Sequence, residues 1–579
     1  MQRTISIEHG PTVACGLLTM DGEQYVFMTI HHFAVDFVSW RIILEDLEAL
    51  LTNQNLPAKT MPFREWATQV HAYAQTLSDS IWPLSPTPTD PIPLDCPLSS
   101  ANDQPAPPQV TYHTFEVQRA SLGRTLSDDL YTEVAPTVGA SPQEFLIASL
   151  LLSLQATFGI DVIELELEGH GRRAWDSSID ISRTVGWFTS IYPALFDLHQ
   201  THAYSKDSNN LRALAIAKQR MRSIPDHGFP YSLQRYLQGT LPLSTPSIDR
   251  TAPEAVRVRS AGWNCITFNY SGRFEQLEAE DAFWRPRHIE MGWADYWNKD
   301  ELFNRALSVA CDYSSSEGLV LSVMYSSVLH RSSTIQRLVN QWRTSLEELI
   351  LECNANPTLS IVTASDFTSA SLTELDFSKL VQDDLPSLNL TLAEIEDIYP
   401  CLPVQEGLLF ATLQDPAAYM VQLGFTINGQ LNVGRFHRAW DQTAHDHSIL
   451  RTHFLTASGC HADKNLQVIT KNFDAHWTIR SWEGCQTDDL CEQFFLQERS
   501  SGFSLGRPWI QFGLFRMAPN IHKLLISVHH ALLDGWSIGL LLQSVCCNYS
   551  GNPLPQTVTY RDFVGHILEL SNNEVEQEL

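Results

Sequence analysis

The stretch Tyr25–Leu51, YVFMTIHHFAVDFVSWRIILEDLEALL, decides how the rest of the chain is interpreted. Its apolar run Tyr25–Ile30 predicts a buried strand, and the apolar residues at helical spacing near its end predict a helix. Two adjacent histidines, His31 and His32, stand between these elements, with Asp36 four residues after the second. The histidine pair is therefore expected at the end of a strand, just before a helix begins.

Neighbouring residues on a strand point to opposite faces, so His31 and His32 cannot both face one reacting atom. One ring is expected in a site and the other in the wall behind it. Two adjacent strand histidines make poor co-ligands for a metal, and no third ligand follows at helical i, i+4 spacing. The pattern favours a single basic histidine, oriented by a carboxylate, over a metal site.

A second copy of this stretch lies at Lys523–Leu542, KLLISVHHALLDGWSIGLLL. It repeats the apolar strand, the histidine pair (His529 and His530) and the aspartate four residues later (Asp534). The likeness continues downstream in LPAKTMPFREWATQV (Leu56–Val70) and LPQTVTYRDFVGHIL (Leu554–Leu568). Matches of this kind at nearly the same distance indicate two copies of one domain type.

The composition excludes several classes of protein. A chain of 579 residues with 44% hydrophobic residues has room for about four compact units. A net charge of −28 makes nucleic acid an unexpected partner. No apolar run reaches the ~18 residues of a membrane span, and no signal region opens the chain. The 11 cysteines form no C-x-x-C pair, which is typical of reduced thiols in a cytoplasmic protein.

The order of patterns along the chain predicts its domains. The first domain is expected at 1–362, with a partial N-terminal lobe at 1–82, a proline-rich crossover at 83–109 and a C-terminal lobe at 110–362. A linker is expected at 363–392, where the sequence has little periodicity, and the N-terminal lobe of the second domain at 393–579. Individual elements are also predicted: helices at Ser141–Thr157 and Val433–His445, a strand at Asp161–Glu168, and a hairpin of Arg305–Tyr313 with Gly318–Tyr325.

Several motifs resemble those of a known family. HHFAVDFVSWR (His31–Arg41), EGHGR (Glu168–Arg172), TVGWFT (Thr184–Thr189) and FNYSG (Phe268–Gly272) resemble, in order, the motifs of epimerization domains in nonribosomal peptide synthetases. The second copy resembles the start of a condensation domain of the same synthetases, through YPCLPVQEGLLF (Tyr399–Phe410), LRTHF (Leu450–Phe454) and HHALLDGWS (His529–Ser537). The resemblance covers nearly the whole chain.

This resemblance implies a mixed α/β fold of the chloramphenicol-acetyltransferase type, with two lobes and a tunnel between them. It also implies substrates carried on the 4'-phosphopantetheine arm of a neighbouring carrier domain, with no cofactor bound by these domains themselves. The expected partners are peptidyl carrier domains upstream and downstream and the rest of a modular synthetase, with no nucleic acid and no membrane.

The chain also departs from the family pattern. The first domain is expected to lack its opening strands and helix, the second its C-terminal lobe, and no carrier or adenylation motif is present, so the chain is interpreted as a fragment. The arginine expected to pair with Asp36 would then precede Met1, which leaves that carboxylate without its partner. Apolar surface around Val26–Ile30 is expected to be uncovered.

The resemblance assigns the acid/base chemistry of the first domain to His32 and Glu168. Inverting the α-carbon of a carrier-bound aminoacyl or peptidyl thioester from L to D requires a proton to leave one face and another to arrive on the opposite face. Which of the two residues removes the proton is left open. A salt bridge to Arg172 is the alternative role for Glu168. Asn269 and Tyr270 are expected to contact the substrate or its enolate.

Four further residues receive supporting roles. His31 is expected to pack or hydrogen-bond behind the site, and Asp36 to orient the loop through a salt bridge. His170 is expected to stabilise a loop, and Trp187 to pack in the core.

In the second domain the resemblance marks His530, which either acts as a base or positions the amine for peptide-bond formation. His529 occupies the wall behind it. Asp534 and Arg451 are expected to form a buried ion pair that holds the corner. Gly535 suits a compact turn, and Trp536 is expected to pack in the core.

Two other functions compete with the interpretation as an epimerase joined to a partial condensation domain. One is a free acyltransferase of the same fold that uses CoA thioesters. The FNYSG and EGHGR motifs argue against this alternative. The other is not enzymatic: a docking fragment or an inactive remnant of a synthetase. The expected truncations favour the latter for the isolated chain.

Overall fold

The computed structural model describes most of the chain in two compact units, Met1–Ile361 (unit 1) and Val362–Leu579 (unit 2). The predicted crossover at 83–109 lies outside the described residues except for 89–95. The described residues are 4–78, 82, 89–95, 110–200, 208–239, 265–273, 283–284, 300, 303, 305–456 (without a break), 465–482, 487–506, 508–555 and 558–578.

Unit 1 opens with a hairpin followed by two helices: β1 (Val13–Met20), β2 (Glu23–Ile30), α1 (Phe37–Leu51) and α2 (Phe63–Ala74). The two strands pair antiparallel as a two-stranded sheet, from Val13 opposite Ile30 to Met20 opposite Glu23. No residue of β2 is buried, so the prediction of a buried strand there is wrong. The physical reason is that β1 pairs with one edge of β2 and the described structure places no strand on the other edge. The apolar exposure expected around Val26 is present.

The larger part of unit 1 is a six-stranded mixed sheet covered by helices, in the order β3-β8-β7-β6-β4-β5. The strands are β3 (Phe115–Ser121), β4 (Val162–Gly169), β5 (Ser190–Asp197), β6 (Ile266–Tyr270), β7 (Leu307–Ser314) and β8 (Gly318–Ser326). The helices are α3 (Arg124–Asp129), α4 (Ala135–Val138), α5 (Pro142–Phe158), α6 (Asn209–Arg222), α7 (Phe229–Leu233) and α8 (Ser332–Asn354), and a π-helical turn at Leu130–Val134 joins α3 to α4. The predicted helix, strand and hairpin of this region are confirmed.

Helix α5 shows how closely local sequence sets an element. Ser141 caps its first turn in a reciprocal capping box with Glu144, Pro142 occupies the first helical position, and Gly159 ends the helix at φ 70°. The helix is almost wholly apolar and its centre is fully buried against the sheet and α8, where Trp342 lies. This core positions the ends of β4 and β6, which carry the candidate site.

Unit 2 contains two sheets, ordered β10-β15-β14-β13 and β11-β12-β9. The strands are β9 (Ile395–Pro400), β10 (Met420–Asn428), β11 (Thr452–Leu455), β12 (Leu466–Thr470), β13 (His476–Ser481), β14 (Ile510–Ala518) and β15 (Ile521–His529). The helices are α9 (Glu374–Lys379), α10 (Leu385–Ser387), α11 (Pro403–Gln414), α12 (Val433–Asp446), α13 (Thr487–Ser501), α14 (Gly535–Ser550) and α15 (Tyr560–Glu578). Strand β15 corresponds to β2 of unit 1, but it is paired on both edges and mostly buried.

The segment 363–392, predicted to be a linker, is an ordered part of unit 2. Helices α9 and α10 flank a π-helical turn at Leu380–Asp384, and apolar residues of the segment form one buried cluster with β9, β11 and β12. The sequence did not predict this order, because the apolar residues of the segment show little periodicity.

Among the described residues, no single helix has both the length and the apolar composition of a membrane-spanning segment. The bent pair Arg124–Val138 and Pro142–Phe158 meets that standard when its two helices are taken together.

Replacing Phe377 tests the buried role of the 363–392 segment. The side chain is 2% exposed, so Phe377→Ala should lower the free energy of unfolding of unit 2 by about 3–5 kcal/mol. Leu375→Ala is the matched control, since Leu375 is 72% exposed in the same helix and its loss should have little effect. Chemical denaturation of both variants is the measurement, and equal stabilities would restore the linker interpretation.

Candidate functional site

The corner that follows β2 separates the two adjacent histidines. The Nδ1 atom of His31 accepts a hydrogen bond from the backbone N–H of Phe33 at 3.1 Å, which folds that ring back onto its own turn. His32 begins a 3₁₀ turn, His32–Ala34, and its side chain faces a cavity. His32 thus lines the cavity and His31 does not, and the strand ends at Ile30, where it was expected.

Asp36 starts the next helix. Its carboxylate accepts hydrogen bonds from the backbone N–H of Ser39 and from the Ser39 hydroxyl, each at 2.7 Å, as the N-cap of α1. The Ser39 oxygen also accepts from the backbone N–H of Gly186 at 3.1 Å, which ties the corner to the TVGWFT segment.

The same carboxylate forms a buried ion pair with Arg172, whose Nη2 atom lies 2.9 Å from Oδ1. The two side chains are 4% and 8% exposed. The expectation that Asp36 lacks a partner is therefore wrong, because its arginine comes from the end of β4 instead of the region before Met1. The alternative in which Arg172 bridges to Glu168 is also wrong, because the guanidinium is directed to Asp36 and to the carbonyls of Ile181 and Thr184.

Gly171 makes this approach possible. It has φ +60°, and a Cβ atom placed on it would lie 1.7 Å from the carbonyl oxygen of Phe188. Only glycine fits a left-handed residue pressed this closely against another backbone. The glycine of EGHGR therefore lets the chain turn from the end of β4 and aim Arg172 at the corner.

Phe188, and not Trp187, is the buried aromatic residue of the TVGWFT segment. Trp187 is 39% exposed, and its ring stands edge-on to His32 with the ring centres 5.9 Å apart, so its predicted core packing is wrong. Phe188 is the buried neighbour: it packs on Phe63 and lies under the guanidinium of Arg172 at 4.2 Å. Neighbouring side chains of an extended segment point to opposite sides, so one ring is expected in the core and the other at the surface. This rule does not decide which of the two rings is buried.

The histidine corner and the ends of β4 and β6 line one cavity of about 590 Å³. Its wall includes the four residues expected to act on a substrate in unit 1, which are His32, Glu168, Asn269 and Tyr270. Further lining side chains that bear on its chemistry are His170, Tyr192 and His227. A cavity of this size suits a small-molecule substrate.

Glu168 is held in a state suited to exchanging protons. Its Oε2 atom accepts a hydrogen bond from Nδ2 of Asn269 at 2.9 Å. The side chain is exposed to the cavity. Partial desolvation of the carboxylate by the cavity walls raises the pKa of Glu168 above its ordinary value of 4.5, and the positive charges of Arg305 and His32 act in the opposite direction. A raised pKa brings a carboxyl group closer to the range in which it can both accept and return a proton.

Two more imidazoles border the cavity. The Nδ1 atom of His170 accepts from the backbone N–H of Arg172 at 3.0 Å, in agreement with the loop role expected for it. Burial lowers the pKa of both His170 and His227, and nearby arginines lower it further. Sequence analysis missed His227. The sequence Asp-His-Gly at 226–228 was the only indication of a tight turn at this position. In the structure these three consecutive residues adopt positive φ.

Unit 2 repeats the corner in its local details. The Nδ1 atom of His529 accepts from the backbone N–H of Ala531 at 3.0 Å, and its Nε2 lies 2.7 Å from the hydroxyl of Thr412. Burial lowers the pKa of His529 to about 4, so the ring is neutral. His530 is exposed. Asp534 caps α14 by accepting from the backbone N–H of Ser537 at 2.7 Å.

The ion pair expected between Asp534 and Arg451 is not formed. Arg451 is 2% exposed and pairs with Glu396, and it also donates to the carbonyls of Ala444 and Thr470. Asp534 is exposed, and its hydrogen bonds with Ser537 lower its pKa. The prediction is wrong because the guanidinium of Arg451 instead donates to a carbonyl near the end of α12 and to one at the end of β12.

Two neighbours of Asp534 also differ from expectation. Gly535 is the first residue of α14 and its added Cβ would meet no atom within 4 Å, so it shapes no compact turn. Trp536 is 81% exposed within unit 2, so its predicted core packing is wrong.

A larger cavity, of about 870 Å³, lies elsewhere in unit 2. Its wall includes Arg451, Tyr560 and Phe563, and neither His529 nor His530 contributes to it. Across the part of the chain that the structure describes, no group of three or more His, Cys, Asp or Glu side chains is placed to hold a metal ion.

Comparison with known proteins shows similarity to a family of domains and to large synthetases that contain them. A family model described as "Condensation domain" matches residues 1–373 and 395–578. The chain is similar to a component of the linear gramicidin synthase of Brevibacillus parabrevis, with 30% identity over 558 residues, which are 94% of this chain and 10% of that protein. It is also similar to nonribosomal peptide synthetase ungA' of Aspergillus campestris, with 29% identity over 98% of this chain and 6% of that protein. The chain thus spans a tenth or less of these relatives.

Among solved structures, the chain is similar to the epimerization domain from the third module of tyrocidine synthetase B. The two share 26% sequence identity with a TM-score of 0.47, over 61% of this chain and 75% of the other.

The two corners provide a matched test of the buried ion pair. Asp36→Ala removes a helix cap and leaves Arg172 buried without its partner, so unit 1 should lose about 3–5 kcal/mol of stability. Asp534→Ala removes a cap alone, so unit 2 should lose about 1 kcal/mol. Hydrogen exchange read by mass spectrometry reports the two units separately. Similar losses in both units would mean that the pair with Arg172 adds nothing beyond the cap.

Proposed function

The chain belongs to the condensation-domain family, and from that premise we propose that unit 1 is an epimerase acting on carrier-bound thioesters and that unit 2 is the N-terminal part of a condensation domain. The substrate of unit 1 is an aminoacyl or peptidyl group on the 4'-phosphopantetheine arm of a carrier domain. The chain then works as part of a modular nonribosomal peptide synthetase, and the inverted thioester passes on for peptide-bond formation.

One observation carries the proposal for unit 1: His32 and Glu168 come from separate parts of the unit and line the same cavity. His32 stands at the end of a two-stranded hairpin, and Glu168 near the end of a strand in the six-stranded sheet. Inversion needs two acid/base groups that reach the α-carbon from different sides, and this placement supports such a pair.

The neighbouring side chains support the same chemistry. Breaking the Cα–H bond of the thioester moves its electron pair into a Cα–C double bond and places negative charge on the former carbonyl oxygen. A hydrogen-bond donor at that oxygen lowers the barrier, and Tyr270 is placed in the cavity wall to supply one. Asn269 donates to Glu168 and so fixes the orientation of its carboxylate. One of His32 and Glu168 keeps the proton removed from Cα, and the other donates a second proton to the opposite face.

In unit 2 we assign the condensation role to His530. The ring beside it, His529, is buried and neutral and is held by Thr412, which supports the local backbone that presents His530. The upstream acyl thioester and downstream amine that such a domain joins would both arrive on carrier domains.

Exchange of the α-proton in deuterated water tests the assignment of unit 1. The chain is incubated with an L-aminoacyl carrier protein, and the product is examined for deuterium at Cα and for stereochemistry. Deuterium incorporation with mixed stereochemistry supports epimerization. Transfer of the acyl group to a free amine would indicate a CoA-type acyltransferase instead, and an inert thioester would indicate an inactive remnant.

The two histidines of the first corner should separate chemistry from structure. His32→Ala should lower α-proton exchange by at least about a hundredfold, since it removes an acid/base group. His31→Ala should retain exchange within a few-fold and lower stability by about 1 kcal/mol, since it removes the acceptor for the Phe33 N–H. Exchange rates and denaturation curves give both quantities. Loss of exchange in a well-folded His31→Ala protein would reverse the assignment of the two rings.

Glu168→Gln should slow inversion by about 10²–10⁴-fold and leave carrier binding intact. Because the folded-state pKa of Glu168 is raised, ionising this group costs the folded state free energy. That cost is absent below the ordinary pKa of the carboxyl group and complete above the raised one. The variant should therefore be at least as stable as the original chain at neutral pH, and the difference should vanish as the pH falls. Unchanged racemisation by the variant would remove Glu168 from the mechanism.

A further inference from the structure

A pair of tyrosines links the cavity of unit 1 to the π-helical turn at Leu130–Val134. The hydroxyl oxygens of Tyr131 and Tyr270 lie 2.6 Å apart. Tyr270 is at the end of β6 and lines the cavity, whereas Tyr131 lies within Leu130–Val134 and is not part of the cavity wall. Single π-helical turns inside α-helices are frequent at functional sites, since the inserted residue redirects a side chain.

Either hydroxyl can be the donor in this hydrogen bond. If Tyr270 donates to Tyr131, its proton is turned away from the cavity and cannot reach a substrate oxygen. If Tyr131 donates, its proton is satisfied and the proton of Tyr270 is free to point into the cavity. The second arrangement satisfies every donor once a substrate oxygen is present.

The charge of Arg273 favours donation by Tyr131 and acts against burial, which raises the pKa of that phenol. The guanidinium of Arg273 lies 5.9 Å from the centre of its ring and 4.6 Å from the ring of Tyr313. A positive charge beside a phenol makes its O–H a better donor, and hydrogen bonds in a chain polarise one another. Burial raises the pKa of Tyr270 to about 12, while the hydrogen bond from Tyr131 counteracts this rise. Tyr270 therefore stays protonated at neutral pH.

We propose that Tyr131 is a positioning residue for the reaction of unit 1: its hydroxyl donates to Tyr270, and this donor chain presents the Tyr270 O–H to the thioester oxygen as it becomes an enolate. The inference rests on the proposed epimerization. In the step it assists, the Cα–H bond breaks, the proton goes to the acid/base pair, and the carbonyl electron pair moves onto oxygen. Both tyrosines keep their protons throughout.

A double-mutant cycle tests whether Tyr131 acts through Tyr270. The probe is L-phenylalanyl-S-N-acetylcysteamine, a thioester that resembles the end of the pantetheine arm, with Cα deuterium uptake as the rate. Tyr270→Phe should lower the rate by about 10²-fold or more. Tyr131→Phe should lower it by about threefold to tenfold, mainly in kcat. In the Tyr270→Phe background the second substitution should have no further effect.

Tyr313→Phe is the matched control. Tyr313 packs edge-on to Tyr131 at 5.8 Å and donates to Asp128 at 2.5 Å, but it does not bond to Tyr270. Its loss tests the effect of removing a phenol oxygen from the same cluster, and the rate should stay within twofold of the original. A rate in the double variant that is the product of the two single effects, or an equal loss in Tyr313→Phe, would overturn the proposal.

A measurement that needs no turnover separates this proposal from the proposed function. With 3-fluorotyrosine placed at position 270, the ¹⁹F resonance should move in Tyr131→Phe and stay in place in Tyr313→Phe. If the original chain exchanges no α-proton with the thioester or with an aminoacyl carrier protein, the epimerase assignment fails, and the ¹⁹F result still decides the hydrogen bond. An unmoved resonance in Tyr131→Phe would overturn the donor chain even in an active enzyme.

Discussion

The buried ion pair between Asp36 and Arg172 is the interaction on which the first site depends. Each partner stands four residues after an acid/base candidate, Asp36 after His32 and Arg172 after Glu168. Joining two charges that are 136 residues apart in the chain therefore brings both candidates to one cavity. A buried charge left without its partner is strongly destabilising. The ion pair therefore stabilises the contact between the two parts of unit 1 whether or not a substrate is bound.

The two histidine corners show what a local sequence determines by itself. In both, the ring of the first histidine accepts the amide of the residue two positions on, and an aspartate caps the following helix through a serine. The ion pair is present in one corner and absent from the other, where Asp534 is exposed and bonds to its own helix. The cap is thus a property of a few adjacent residues, whereas burial and charge pairing come from a distant segment.

The same distinction explains which parts of the molecule could be predicted from sequence. The helix at 142–158 and the hairpin at 307–326 have caps, turns and periodicity encoded within each element, and both were predicted. The partner of Arg451, the choice between Trp187 and Phe188 for the core, and the burial of β2 depend on which surfaces come together. The spacing of residues in the sequence does not predict these contacts, because each depends on groups that are far away in the chain. The cavity residues His32, Glu168, Asn269 and Tyr270 came from resemblance of motifs, and the linkage to Tyr131 has no motif at all.

The cap of α1 also bears on the order in which the unit folds. Asp36, Ser39 and the turn before them are neighbours in sequence, so the corner can close on the timescale of a single helical turn. Arg172 is made 136 residues later, and its contact requires the closure of a long loop. During synthesis from the N-terminus the carboxylate is therefore held first by amide and hydroxyl donors, and exchanges solvent for a guanidinium only when β4 is in place. The cap bonds persist beside the ion pair in the folded unit, so the carboxylate keeps its local donors and gains the guanidinium as an additional partner.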